Sequence, residues 1–139
     1  MGATRGLKRM PERLATGAYL LHTGLEKWSG GPEQAAGIHG MAAGAYPFLA
    51  GIEPARFLKL VASAEIVTGA LLLIPVVPRA VAGAMLSVFS GGLVTMYLRT
   101  PALHKEGSVW PTPSGVGVSK DVWLLAIGVG LVLDELMED

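Results

Sequence analysis

Nineteen consecutive residues, Ala80 to Leu98, carry no charge and stand between Arg79 and Arg99. A helix needs about 20 residues to cross a hydrocarbon core of roughly 30 Å, so this run narrows the choice of solvent for the whole chain. The composition points the same way. The chain is 51% hydrophobic and 16% charged with a mean hydropathy of +0.49, more apolar than a soluble domain of 139 residues needs to be. An integral membrane protein is expected. The formal charge is zero and the basic residues form no patch, so no nucleic-acid partner is expected.

Three further segments complete an all-α, four-helix membrane bundle in a single domain, with spans at roughly 11–28, 57–77, 80–98 and 121–135. The first holds Arg13, His22, Glu26 and Lys27, and the second holds Lys59 and Glu65. The fourth offers only Val122 to Leu133 between two aspartates, which tilt or local thinning of the bilayer must accommodate. Apolar segments continue after Trp28, where Ser29-Gly30-Gly31-Pro32 offers no small-x-small cleavage site, so the first segment reads as a span rather than a signal peptide. The long connections, 29–56 and 100–120, share one side. The opposite side carries Arg5, Lys8, Arg9, Arg13 and Arg79, which makes it cytoplasmic by the positive-inside tendency and puts both termini there. Residues 34–52 are uncharged and rich in Ala and Gly, and predict a short amphipathic or re-entrant helix on the outer surface. The 100–120 segment is dense in Pro, Gly and Ser and predicts a loop, anchored by Trp110.

Gly83, Ser87, Gly91 and Thr95 recur every four residues and form a stripe where a neighbouring helix can approach closely. The charges are more informative. Four alternating spans bring His22, Glu26, Lys27, Lys59, Arg99, Lys120 and Asp121 into the outer portion, with Glu65 deeper. At about 1.5 Å per residue, Glu65 and His22 lie at comparable depth, within reach of a contact across helices. A charge at membrane depth costs at least roughly 2.5 kcal/mol on insertion scales, so these groups face the bundle interior or a wet cavity. Two readings fit. In one, Glu65 or His22 exchanges protons in an outward-opening pocket while Lys27, Lys59, Arg99, Lys120 or Asp121 holds an anion or a quinone oxygen. In the other, the charges neutralise each other and fix helix register, the role assigned to Arg13 and Glu26.

His39 and His104 lie in the connections, and no His-x-x-x-His spacing links the three histidines, so no metal site is expected. Cysteine is absent, which removes disulfides, thiolate ligands and an internal thiol relay, and leaves redox chemistry to a bound cofactor. No phosphate loop or nucleophile elbow is present.

The segments Arg13-Leu14-Ala15-Thr16-Gly17, Leu21-His22-Thr23-Gly24-Leu25-Glu26-Lys27-Trp28, Glu65-Ile66-Val67-Thr68-Gly69-Ala70-Leu71-Leu72-Leu73 and Ser119-Lys120-Asp121-Val122-Trp123 follow one another in order and spacing. With them the chain resembles the DoxX family of small bacterial four-helix membrane proteins, over nearly its whole length. That family is named for its similarity to the DoxD subunit of thiosulfate:quinone oxidoreductase. The resemblance implies a cytoplasmic-membrane protein linked to quinone or sulfur redox metabolism, with interest falling on Arg13, His22, Lys27, Glu65, Lys120 and Asp121. It also implies redox-complex subunits or a second copy of the chain as partners beside the lipid bilayer, and quinone as the cofactor. The alternative expectation is a structural or assembly subunit without its own catalysis.

Overall fold

The computed structural model describes residues 9–137 except Ser114. Among these residues there is no strand, and the chain runs through α1 (Met10–Trp28), α2 (Pro32–Ala45), α3 (Pro54–Leu73), α4 (Arg79–Arg99), the single turn α5 (Val116–Ser119) and α6 (Asp121–Leu136). Short 3-10 segments follow α2 and α4. Proline sets several of these boundaries. Pro11, Pro32 and Pro54 sit in first turns, where the missing N–H is one the helix would leave unpaired. α3 ends at Leu73 because Ile74 precedes Pro75 and is steered out of the helical region. The segment expected at 57–77 is therefore displaced toward the N-terminus.

Among the described residues only α4 is both long and apolar enough to cross a membrane by length and composition. α1 and α3 are long but interrupted by charge, and the 16 residues of α6 span only about 24 Å.

The helices pack as two antiparallel pairs, α1 with α3 and α4 with α6, joined mainly along α3 and α4. Glycine permits each pair. A Cβ at Gly17 would lie 2.9 Å from the Gly69 carbonyl oxygen, and one at Gly69 would lie 2.8 Å from that of Gly17. In the second pair a Cβ at Gly83 would come within 2.6 Å of the Gly128 carbonyl oxygen. Gly83, Ser87 and Gly91 of the small-residue stripe all face α6, so its partner lies within the chain. α1 and α6 share little contact.

Leu20, Leu72, Ala82, Leu86 and Leu131 form one buried cluster, and Ala42, Ala45 and Met96 a second toward the end bearing α2. The charges Arg13, Glu65 and Arg79 are buried beside them, while Leu14, Leu25, Leu60, Val67, Val81, Val88, Val129 and Leu133 point outward.

The helix expected in the first connection is α2. Beyond Glu33 and Gln34 it has no charged side and packs against α3 and α4, which departs from an amphipathic surface helix. The 100–120 connection is more ordered than the loop expected: His104 and Pro111 form an isolated bridge, and α5 follows. Trp110 remains exposed.

Candidate functional site

Glu65 stands midway along α3 and is 4% exposed. Its carboxylate is held from α1: Thr23 Oγ1 donates to Oε2 at 2.5 Å, and Lys27 Nζ donates to Oε1 at 2.7 Å. Thr23 and Lys27 are four residues apart and therefore share a helix face. Gly24 lies beside them, packed against Ala62 and Ile66 of α3 so closely that a Cβ there would lie 3.0 Å from the Ala62 carbonyl oxygen. The close approach brings a threonine hydroxyl, a short donor, within reach of the acid.

A cavity of about 420 Å³ opens beside this group. Every helix contributes to it: Tyr19, Thr23 and Lys27 from α1, Ile38 and Met41 from α2, Phe57 and Glu65 from α3, Phe89 and Leu93 from α4, Val118 from α5, and Asp121 and Leu124 from α6. Most of the wall is apolar. Lys27, Glu65 and Asp121 are the charged residues lining it. α2 covers one flank, whereas α1 and α6 barely meet and Tyr19 on that side is 62% exposed.

Of the residues singled out from the sequence, Lys27 and Asp121 join Glu65 at this cavity. The His22 to Glu65 contact is not made. His22 pairs with Glu26 at 3.0 Å, and their side chains are 72% and 65% exposed. The reason is rotational: the buried face of α1 runs through Arg13, Thr16, Gly17, Leu20 and Gly24, and His22 lies two residues, roughly 200°, from Leu20. Lys59 donates to the Trp28 carbonyl at 2.5 Å and sits 4.1 Å over its ring, tying the start of α3 to the end of α1. Arg99 reaches the Ala45 carbonyl at 3.3 Å and lies over the Tyr46 ring. Lys120 is exposed. None of these three lines the cavity.

Arg13, 1% exposed, lies at the opposite end. Its Nε donates to Leu72 O at 2.9 Å, Nη1 to Val77 O at 3.0 Å, and Nη2 to Leu71 O and Ile74 O, each at 2.9 Å. These carbonyls belong to the end of α3 and the following turn, where the helix runs out of N–H partners, and the arginine caps them, sharing Ile74 O with the Val77 N–H. Arg79 pairs with Asp134 nearby, and Arg9 reaches Glu12 and Asp134. His39 bonds the Leu49 carbonyl at 2.8 Å, and His104 the Leu98 carbonyl at 3.1 Å.

Sequence reasoning missed Thr23 and the part played by α2. Thr23 was within reach: a 3.6-residue count forward from Arg13 passes through Leu20 and Gly24 to Lys27, with Thr23 beside that line and His22 on the far side. α2 gave no such signal, because an Ala/Gly run without charge has no periodicity to read.

This arrangement gives one end of an apolar chamber a carboxylate fixed by an ammonium and a hydroxyl, with a second carboxylate on the wall. Chemically it suits a molecule with an apolar body and a small polar head.

No curated protein and no solved structure matches the chain. The family model for DoxX matches residues 10–98, well over half of the sequence. That stretch contains α1 to nearly the end of α4, with Thr23, Lys27 and Glu65, and ends before Asp121. The chain belongs to the DoxX family and is a membrane protein.

Proposed function

We propose that the chain is a multi-pass protein of the bacterial cytoplasmic membrane. On this reading it crosses the bilayer with α1, α3, α4 and α6, keeps both termini in the cytoplasm, and binds a quinone in the cavity beside Glu65 as a subunit of a membrane redox complex. Buried charge with apolar side chains turned outward is the distribution a bilayer favours. The observation that carries the site is the set Glu65, Lys27 and Thr23 at the head of an apolar cavity of about 420 Å³, within the size range of small-molecule sites. The donors suit the ligand. Lys27 carries three N–H groups and spends one on Glu65, which leaves donors for a quinone oxygen. Bound quinone would supply the electron acceptor, and the chain's residues would hold its head and exclude water.

The rival reading is an assembly subunit without catalysis. It draws on Glu65, whose two carboxylate oxygens are each already bonded within the chain.

Titrating a short-chain ubiquinone into detergent-purified protein, read by tryptophan fluorescence, separates the two. Saturable quenching is expected, abolished in Glu65→Gln protein that accumulates in the membrane normally, with quinone reduction by isolated membranes lost in parallel. An unaltered titration in that variant, or no quenching by the parent protein, removes the site from consideration and leaves the assembly role.

A further inference from the structure

The charges at the cavity do not balance. Glu65 and Asp121 contribute two carboxylates and Lys27 one ammonium, so the lining carries one excess negative charge when all three are ionised. Glu65 is satisfied by Thr23 and Lys27. Buried charge elsewhere is satisfied too, Arg13 by carbonyl oxygens and Arg79 by Asp134. Asp121, the first residue of α6, lines the same cavity, is half-buried, and has no hydrogen-bond or ion-pair partner among the described residues. A carboxylate on an apolar wall is an acceptor that water reaches poorly, and a ligand carrying a donor removes that cost.

We infer that the cavity discriminates between the two forms of its ligand and holds the hydroxyl-bearing, reduced form, a quinol, more tightly than the quinone, with Asp121 accepting a hydroxyl hydrogen bond. This deepens the function proposed above and rests on that reading. A quinone head presents only acceptor oxygens and meets Asp121 with lone pairs facing lone pairs. A quinol offers O–H groups to Asp121, while Lys27 can donate to either form. Tighter binding of the reduced form raises the potential of the bound couple, by about 30 mV for each tenfold preference in a two-electron couple. The site therefore makes its quinone a stronger oxidant, which suits a complex that passes electrons to the quinone pool.

The test compares a short-chain ubiquinol, the matching ubiquinone and the dimethyl ether of the quinol, each titrated anaerobically into the purified protein. The ether keeps the ring and its oxygens but has no O–H. The parent protein is expected to bind the quinol about tenfold or more tightly than the quinone, the scale of one hydrogen bond to a charged group, and to bind the ether no better than the quinone. Asp121→Asn, checked for an unchanged melting temperature, is expected to lose the preference, because its amide offers a donor to a quinone oxygen as readily as an acceptor to a quinol hydroxyl. Quinone bound as tightly as quinol, or the ether bound as tightly as quinol, overturns the inference and leaves the proposed function standing. Binding of none of the three overturns both. The ether comparison needs no variant, so a misfolded Asp121→Asn protein leaves the test decisive.

Discussion

Replacing Glu65 or Lys27 singly isolates a charge, and the consequence depends on how far water reaches it. Glu65 is nearly inaccessible, and the Lys27 side chain is 22% exposed. Glu65→Leu leaves the Lys27 ammonium without its hydrogen-bonded partner at the head of the cavity, which costs on the order of 3 kcal/mol for a buried pair. Lys27→Met leaves the carboxylate with Thr23 alone. The double variant Glu65→Leu/Lys27→Met removes both charges and is expected to recover most of the lost stability, since apolar replacements of a buried pair are often neutral. Melting in detergent measures this recovery. Ubiquinone binding, in contrast, is expected to stay lost in the double variant, and full binding there would show that the pair serves packing only. Arg13 makes a different kind of contribution. A lysine at that position has one nitrogen in place of a planar fork and cannot reach the carbonyls of Leu71, Leu72, Ile74 and Val77 together. Arg13→Lys should therefore lower stability by about 2 kcal/mol through unpaired carbonyls without changing quinone affinity in the fraction that remains folded.

The elements were readable in the sequence to the extent that local chemistry fixes them. Arg79 and Arg99 bracket α4, Pro75 stops α3, and Pro11 opens α1, each for a reason carried by one or two residues. Which face of α1 meets α3 was also written there, in the 3.6-residue spacing from Arg13 to Lys27, whereas matching depths alone paired His22 with Glu65. The seating of α2 over the cavity was not readable, because it depends on residues distant in the chain, such as Phe57 and Met96, that close a cluster with Ala42 and Ala45. The glycine contacts separate packing from mere smallness. At Gly83 a Cβ would meet the Gly128 carbonyl oxygen at 2.6 Å, while at Gly92 it would meet nothing within 4 Å. Gly83→Ala forces α4 and α6 apart and is expected to cost about 1–3 kcal/mol, the usual range for overpacking. Gly92→Ala adds a methyl to open space and removes backbone freedom, so its melting temperature should equal or exceed that of the parent protein. Equal loss in the two variants would contradict the antiparallel contact described for this pair.

At the scale of the whole molecule the two ends differ in what their charges do, and this bears on orientation. At the end with the start of α1 and the close of α6, Arg13 and Arg79 are buried and bonded, so Arg9 is the exposed cation among the described residues of that end that the topology argument used. At the other end Lys59 lies over Trp28 and Arg99 over Tyr46, amphipathic pairings suited to a membrane–water interface. Cations pinned to rings and carbonyls at an interface act as anchors, whereas basic residues ahead of the first span act on insertion. The positive-inside argument thus rests on Arg5, Lys8 and Arg9 more than a plain count suggests. Of these, Arg5 and Lys8 lie outside the described residues. The expectation that follows is specific. A fluorescent reporter that matures only in the cytoplasm, fused after Asp139, should be bright, and a phosphatase active only outside should be silent at the same position. Replacing Arg5, Lys8 and Arg9 together with glutamine should raise the phosphatase signal at that fusion, while replacing Lys59 and Arg99 should leave it unchanged. A phosphatase signal from the unaltered chain would invert the molecule, placing α2 and the Lys27 end of α1 on the cytoplasmic side. The ligand would then exchange with partners on that side.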